Sequence, residues 1–184
     1  PIVDLKQHKI IGAEALLRLS IPEEEDRSPN DFIHIAEETG SIIQMGQWVM
    51  QQTFKDIQKM LSAQIKEIKI SINISARQIR DKNFIPHIRK LFVSHPNYIQ
   101  YFEFEITENA FIDNQPENIS RLYELRELGF SISIDDFGTG YSSISYLKQL
   151  PIDTIKIDST LIRNLPEDEN SVEITSALIA MAHK

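Results

Sequence analysis

Two adjacent aspartates at the end of an apolar segment are the residues of this sequence best suited to chemistry. Residues 131–135 alternate serine and isoleucine and end in Asp135, which predicts a β-strand. Asp136 follows at the strand tip, and Gly138 and Gly140 allow backbone geometry that other residues rarely adopt. Mg²⁺ and Mn²⁺ prefer carboxylate oxygens, so the pair is a candidate metal site. A solvated turn rich in aspartate and glycine is the alternative that these residues alone leave open.

Three further predicted strands also carry polar side chains along one face. The polar positions are Lys69, Ser71, Asn73 and Ser75 in the first, Glu103, Glu105 and Thr107 in the second, and Lys156 and Asp158 in the third. Parallel strands buried on both faces usually form continuous apolar runs, so four alternating strands need an explanation. Buried charges are costly unless they are paired or bound to metal, which makes independent structural polar residues the less favoured explanation.

We therefore predict that these strands share one metal site, because polar groups at the carboxyl ends of barrel strands form active sites. Glu14 lies inside another apolar strand, where it is either a site residue or an ion-paired core residue. Lys156 would add a cation that positions or activates water. The oxygen-rich set suited to a hard divalent cation is Glu14, Asn73, Glu105, Asp135 and Asp136.

Alternating strands and helices must position this set. The predicted strands are Pro1–Leu5 and Ile10–Leu17, which form a hairpin, then Ile68–Ile74, Tyr101–Thr107, Ser131–Asp135 and Thr154–Asp158. The predicted helices are Ser28–Gly40, a longer helix around Met50 to Leu61, Arg80–Phe92, Pro116–Leu128, Ser142–Leu150 and Val172–His183. His87 and His95 are expected to flank a helix in surface or capping roles. The pattern predicts an α/β protein with a parallel sheet or barrel, formed as a single domain by residues 1–184.

Composition narrows the class of protein. The net charge of −8 argues against a general nucleic-acid surface or an anionic membrane surface. The absence of cysteine excludes disulfides and thiol nucleophiles and suits a cytoplasmic protein. No apolar run reaches membrane-spanning length, so this segment is expected to make no membrane contact. The chain starts at Pro1 without a methionine and is taken as part of something longer, whose other parts could include a membrane anchor.

Six motifs in this order resemble the EAL-domain family of cyclic di-GMP phosphodiesterases. They span nearly the whole chain, which makes a chance match very improbable. They are Glu14-Ala15-Leu16-Leu17-Arg18, Phe32-Ile33 with Ala36-Glu37-Glu38-Thr39-Gly40, Ser71-Ile72-Asn73-Ile74-Ser75-Ala76-Arg77-Gln78, Glu105-Ile106-Thr107-Glu108, Asp135-Asp136-Phe137-Gly138-Thr139-Gly140-Tyr141-Ser142-Ser143, and Ile155-Lys156-Ile157-Asp158.

The resemblance implies a (β/α)₈ TIM-like barrel that begins with a hairpin and hydrolyses cyclic di-GMP to linear pGpG by two-metal catalysis with Mg²⁺ or Mn²⁺. It also implies a homodimer, and sensory or diguanylate cyclase domains elsewhere in the protein. Four positions match the family's metal ligands: Glu14, Asn73, Glu105 and Asp135. Asp136 matches the ligand of the second metal, and Lys156 matches the lysine near the attacking water. Arg18, with Leu17 before it, matches the substrate-binding end of the first motif, and Glu108 matches the acid that holds the loop Phe137–Ser143.

The match ends before the family's Ala-Glu-Gly-Val-Glu motif, which supplies a further catalytic glutamate. The last two barrel strands are therefore expected to be missing, and the 184-residue chain alone is expected to be weak or inactive, poorly stable, or completed by swapped or paired chains. A second hypothesis is a signalling module that binds cyclic di-GMP without hydrolysing it. A third and more remote one is a metal-dependent barrel enzyme acting on another phosphate or an enolate.

Overall fold

A computed structural model of the chain describes residues 1–19, 29–108, 116–138, 147 and 149–183, with the side chains of residues 30 and 31 left out. Six strands and seven α-helices lie in this described part of the chain. The strands are β1 (Ile2–Asp4), β2 (Lys9–Ala15), β3 (Lys69–Asn73), β4 (Phe102–Thr107), β5 (Ser131–Phe137) and β6 (Thr154–Ile157). The helices are α1 (Pro29–Thr39), α2 (Ile42–Ser62), α3 (Ala76–Arg80), α4 (Phe84–Phe92), α5 (Pro116–Glu127), α6 (Ser159–Ile162) and α7 (Glu169–Ala182), with a 3₁₀ helix at Pro96–Tyr101.

All six strands form one sheet in the order of the sequence, from β1 to β6. The pair β1–β2 is antiparallel, and the pairs from β2–β3 to β5–β6 are parallel. The predicted opening hairpin and parallel sheet are therefore confirmed. Such a sheet places the carboxyl ends of β2 to β6 along one edge, where functional groups can meet.

The apolar face of the sheet forms the core with the helices. Ile72, Phe102, Phe104, Phe130 and Ile132 are fully buried. They belong to one cluster with the α2 stripe predicted from helical spacing, which includes Met50, Phe54 and Ile57. The residues fall into this pattern because strand side chains alternate between faces and helical ones recur every three or four positions.

The opposite face of the sheet is polar and buried, as the alternation predicts. Ser71, Glu103 and Ser133 are at most 9% exposed on this face. The Ser71 hydroxyl donates to a Glu103 oxygen at 3.1 Å, and the Thr154 hydroxyl donates to the other at 3.3 Å. The hydrogen bonds from β3 and β6 to β4 offset the cost of burying the Glu103 carboxylate.

The predicted helix Arg80–Phe92 is wrong in its bounds. Residues 81–83 separate α3 from α4, because Asp81 has an extended backbone (ψ 125°) that ends α3. Ser75 and Gln78 form a reciprocal capping box that starts α3, and this Ser-x-x-Gln pattern could have revealed the helix from sequence. The last helix begins at Glu169 rather than Val172, since the Asp168 side chain accepts from Ser171 N at 3.1 Å and caps it.

Two other predictions concern the helix at residues 142–150 and the absence of a membrane-spanning segment. The helix predicted at residues 142–150 lies outside the described residues, apart from Leu147, Gln149 and Leu150. A search of the described helices finds none with the length and apolarity needed to cross a bilayer.

His87 lies within α4, half-buried, rather than flanking a helix at the surface. Its Nε2 atom is buried without a hydrogen-bond partner among the described residues, beside a small cavity of about 10 Å³. Burial lowers the pKa of His87, and the positive charge of Lys90 lowers it further.

Acid should therefore destabilise the protein through His87. Below the ordinary histidine pKa of about 6.5, the unfolded chain takes up a proton more readily than the folded one. The free energy of unfolding should fall as pH drops from about 7 towards the lowered pKa, and His87→Gln should flatten this decline. Chemical denaturation between these pH values tests the prediction, with His34→Gln on exposed α1 as the control. Equal slopes for wild type and His87→Gln would contradict it.

Candidate active site

Five of the predicted site residues meet at the carboxyl ends of five strands. Strand register explains part of this convergence: Asn73 lies opposite Glu105, and Thr107 lies opposite Asp135. Residues that share a face and a register position are neighbours across adjacent strands. The convergent residues are Glu14 on β2, Asn73 on β3, Glu105 on β4, Asp135 on β5 and Lys156 on β6.

Three carboxylates form the centre of this cluster. Glu14, Glu105 and Asp135 each offer an oxygen, and these three atoms lie within 4.8 Å of one another. The Asn73 side chain donates from Nδ2 to Glu14 Oε1 at 2.6 Å. Because the amide donates through nitrogen, its Oδ1 atom keeps its capacity as an acceptor.

Lys156 contacts all three carboxylates. Its Nζ atom lies 2.9 Å from Glu105 Oε2, 3.2 Å from Asp135 Oδ1 and 3.7 Å from Glu14 Oε2. Burial opposes the charge on this ammonium. The hydrogen bond to Glu105 and the surrounding negative charges outweigh burial, so the pKa of Lys156 is raised. Lys156 therefore stays protonated and acts as a cation and hydrogen-bond donor.

Glu105 is the most deeply buried acid of the cluster, with its side chain 1% exposed. Burial raises the pKa of Glu105, although the hydrogen bond from Lys156 limits the rise. One of its oxygens, Oε1, is buried without a hydrogen-bond partner among the described residues. A buried oxygen with no partner is costly in a purely structural role.

Asp136 lies beside the same cluster of site residues because of an irregularity in β5. Consecutive strand residues normally point to opposite faces. Here Ile134 pairs with Ile155 while Phe137 pairs with Ile157, so β5 contains one extra residue. Asp136 has φ 53°, a left-handed conformation that aspartate adopts more readily than most residues. Both aspartates thus line the same cavity, and Phe137 returns to the apolar core.

The pKa of Asp136 is raised, first by burial and then by the negative charges of Asp135 and Asp158. Nearby anions disfavour its ionised form, so a bound cation would favour it in turn.

Glu108 directly follows β4, and the family resemblance predicts that it holds the loop after Asp135 and Asp136. It is 3% exposed, and its Oε2 atom accepts a hydrogen bond from Gly138 N at 2.9 Å. Thr139 to Ser143, the rest of the predicted loop motif, lie outside the described residues. Glu108 at the end of β4 therefore holds the backbone that follows β5 at Gly138.

Arg18 and Leu17 border a cavity of about 550 Å³ that also includes Asn73, Glu105, Asp135 and Asp136. Arg18 is exposed, and its guanidinium donates to the carbonyl of Leu17 at 3.0 Å. This volume lies within the range of small-molecule sites. A guanidinium at the rim suits an anionic ligand, since it presents several fixed donors to phosphate oxygens.

Helices α1 and α2 supply a wall of the cavity that the sequence did not reveal. These lining residues include Ile33, Glu37, Met45, Gly46 and Val49, together with Gln78 from α3. The family motifs contained Ile33, Glu37 and Gln78 but assigned them no role. Gly46 lies inside α2, where glycine is unfavourable. A glycine within a predicted helix is the sequence signal that could have pointed to this position.

The cluster fits a hard divalent cation. Its donors are carboxylate and amide oxygens, the ligands that Mg²⁺ and Mn²⁺ prefer. Three carboxyl groups lie within 3.7 Å of the Lys156 ammonium, so the cluster has excess negative charge. Glu105 Oε1 has no hydrogen-bond partner among the described residues and is available for a ligand bond. Glu14, Asn73, Glu105, Asp135 and Asp136 are the residues that could hold such ions.

Comparison with protein families gives one match across the whole chain. The family described as the EAL domain matches residues 1–184. Signaling protein YkoW of Bacillus subtilis is 42% identical over 184 residues, which are 100% of this chain and 23% of that protein. Cyclic di-GMP phosphodiesterase NbdA of Pseudomonas aeruginosa is 35% identical over 184 residues and 24% of its own length. The chain therefore spans about a quarter of these curated relatives.

Solved structures share the fold. The PaMucR phosphodiesterase in complex with c-di-GMP is 34% identical with a TM-score of 0.91, over 98% of this chain and 73% of the other. The cAMP-bound form of the EAL enzyme Bd1971 is 37% identical with a TM-score of 0.90, over 100% of this chain and 52% of the other. These likenesses confirm the predicted TIM-like barrel architecture, of which the described residues form six strands in an open sheet.

Proposed function

This chain belongs to the EAL-domain family, and we propose that it hydrolyses cyclic di-GMP to linear pGpG with two Mg²⁺ or Mn²⁺ ions. The observation that carries the proposal is the convergence of Glu14, Glu105 and Asp135 within 4.8 Å around Lys156. NbdA and PdeR from Escherichia coli, both named as cyclic di-GMP phosphodiesterases, support the choice of substrate.

Glu14, Asn73, Glu105 and Asp135 would hold one ion, and Asp136 would complete the site of a second. When bound, two such ions supply a clamp for the phosphate, an acidified water as nucleophile and charge stabilisation for the leaving oxygen. The chain's own groups must then bind the dinucleotide, orient it and keep the carboxylates ionised.

Lys156 is the central group in that task. As an ammonium within 3.7 Å of three carboxylates, it favours their ionised forms and fixes their relative positions. Because its pKa is raised, it can donate a hydrogen bond to water or phosphate but is not suited to accept a proton. We propose that it orients the attacking water.

Arg18 and Leu17 would bind the dinucleotide at the rim of the cavity. The Arg18 guanidinium is suited to a phosphate oxygen, and its hydrogen bond to the Leu17 carbonyl restrains its position. We place the reaction in the cytoplasm as part of a larger homodimeric signalling protein. MucR from Pseudomonas aeruginosa, named as a bifunctional diguanylate cyclase and cyclic di-GMP phosphodiesterase, supports cyclase domains as companions.

The test is hydrolysis of cyclic di-GMP by the natural full-length protein with Mg²⁺ or Mn²⁺, read out by chromatography of the nucleotides. We expect pGpG to accumulate and a chelator to stop it, with recovery on adding either ion. Binding of cyclic di-GMP without turnover would favour the signalling module that does not hydrolyse it. If the protein neither binds nor hydrolyses cyclic di-GMP, the proposal is overturned. The same assay on residues 1–184 alone should give weak turnover, because β1 and β6 leave the sheet open at both edges.

Replacing Glu108 by alanine should weaken the site indirectly. The change removes the acceptor of the Gly138 N–H and loosens the backbone that follows Asp135 and Asp136. Turnover should fall by roughly 10- to 100-fold, the usual effect of losing a group that orients metal ligands. Steady-state kinetics measure this, with Glu38→Ala as the control, because the Glu38 side chain is exposed on α1. Normal turnover in Glu108→Ala would show that the loop does not depend on this acid.

A further inference from the structure

Gln78 is a buried polar residue next to the candidate active site. It is 3% exposed and lies in the short helix α3. Its side-chain Oε1 accepts from Ser75 N at 2.9 Å, and its own backbone N–H donates to Ser75 Oγ at 3.3 Å. This reciprocal pair fixes the backbone at the point where the chain leaves β3 and enters α3.

Gly46 of α2 makes room for the far end of the Gln78 side chain. A Cβ atom at Gly46 would lie only 1.7 Å from Gln78 Nε2, well inside any tolerated contact. Glycine within a helix costs about 1 kcal/mol relative to alanine. The close approach of the amide gives this helical glycine a packing reason, and it seats Gln78 against α2.

A second contact anchors the same turn of α3. The Arg77 guanidinium donates to the carbonyl of Glu38 at 3.4 Å, and it lies 3.1 Å from the Cβ position of Gly40, whose φ is 82°. Successive residues of α3 thus contact the end of α1 and the N-terminal part of α2. Helix α3 is tied to the α1–α2 pair on both sides.

The fixed turn follows directly after Asn73. Ile74 N donates to the Glu105 carbonyl at 2.8 Å, Ser75 is held by Gln78, and Asn73 itself bonds Glu14 at 2.6 Å. Only one residue separates Asn73 from Ser75, so a shift of Ser75 must move the end of β3. Gly46, Gln78 and Asn73 also line the same cavity.

We propose that Gln78, seated on Gly46, is a positioning residue that holds the Asn73 amide in place for cation binding. The inference rests on the proposed function in that Asn73 is taken as a metal ligand. Gln78 touches no ligand in this scheme. It acts through the Ser75 backbone, and α2 contributes the glycine that makes its position possible.

The test measures Mn²⁺ affinity of the natural full-length protein by calorimetry, without substrate. Gln78→Met keeps the size of the side chain but removes the acceptor of Ser75 N, and it should weaken Mn²⁺ binding by roughly tenfold or more. Gly46→Ala should do the same by displacing the Gln78 amide. In an Asn73→Ala background, Gln78→Met should weaken binding no further, because the two changes act on one ligand.

Asp153→Asn is the matched control for a loss of stability. Asp153 bonds Arg126 and Ile132 N at the opposite end of the sheet, at 2.8 and 2.9 Å. This variant should lower the melting temperature and leave Mn²⁺ affinity unchanged. If Gly46→Ala does not fold, Gln78→Met alone decides, since it adds no volume.

The outcomes separate this inference from the proposed function. If wild type binds no Mn²⁺, the proposed metal site itself fails. If wild type binds Mn²⁺ and Gln78→Met binds it equally well, only the positioning role is overturned. Weakening by Gln78→Met that is undiminished in the Asn73→Ala background would also overturn it, because Gln78 would then act through another residue.

Discussion

Asp135→Asn should strongly weaken divalent-cation binding and abolish the proposed hydrolysis of cyclic di-GMP. Asp135 belongs to the triad of carboxylates formed with Glu14 and Glu105, and its Oδ1 atom is 3.2 Å from Lys156 Nζ. The substitution preserves shape but removes a negative charge and replaces one ligand oxygen with an amide nitrogen, which does not coordinate Mg²⁺. The loss of Mn²⁺ affinity should exceed the roughly 10- to 100-fold caused by losing an outer partner of a metal ligand.

Calorimetry with Mn²⁺ and the hydrolysis assay measure the two effects of Asp135→Asn separately. Asp56→Asn is the control, because it makes the same chemical change on α2, where Asp56 pairs with Lys59 at 2.8 Å outside the site. It should leave both quantities unchanged. Full Mn²⁺ affinity in Asp135→Asn would show that the triad does not hold the ion.

Lys156→Met should have the second largest effect, and it should act on stability as well as on activity. Removing the ammonium leaves Glu105 buried without its hydrogen bond of 2.9 Å and leaves three acids facing one another. A buried group that loses its partner typically costs about 1–3 kcal/mol of stability. Turnover should fall by roughly 100-fold or more, because the attacking water loses the group that orients it.

Metal should restore the stability lost in Lys156→Met but not its turnover. The variant without metal should unfold at a lower denaturant concentration than wild type. Saturating Mn²⁺ should restore much of that loss, because the ion replaces the missing positive charge, but it should not restore turnover. Lys69→Met is the control, since Lys69 lies on β3 near its start and donates to Ser131 Oγ at 2.7 Å. A Lys156→Met variant with normal turnover would contradict the role assigned to this lysine.

The local pattern of the chain was sufficient to predict most of the fold. Ile72, Phe104 and Ile132 alternate with polar residues, and this alternation alone predicts which face packs on helices. The split between α3 and α4 was missed because residues 81–83 contain no glycine or proline to mark a break, while the extended backbone of Asp81 ends α3. The capping box of Ser75 and Gln78 was the stronger local signal.

The sequence also predicted which residues would gather at the site, but not how they contact one another. Lys156 was expected to position water, and the structure adds that it contacts three carboxylates at once. The strand was expected to end at Asp135. Instead β5 continues to Phe137 and contains an extra residue at Asp136. Asp136 has a left-handed conformation, and both aspartates line the same cavity.

The division between what sequence and tertiary structure decide has a physical basis. Alternation of side chains and helical spacing are properties of a few neighbouring residues, so the chain by itself determined the strand faces, the helix stripes and the membership of Glu14, Glu105 and Asp135 in one polar interior. The seating of Gln78 on Gly46 and the distances around Lys156 join residues that are tens of positions apart in the chain. Such contacts depend on the register and packing of whole strands and helices, which only the folded structure decides.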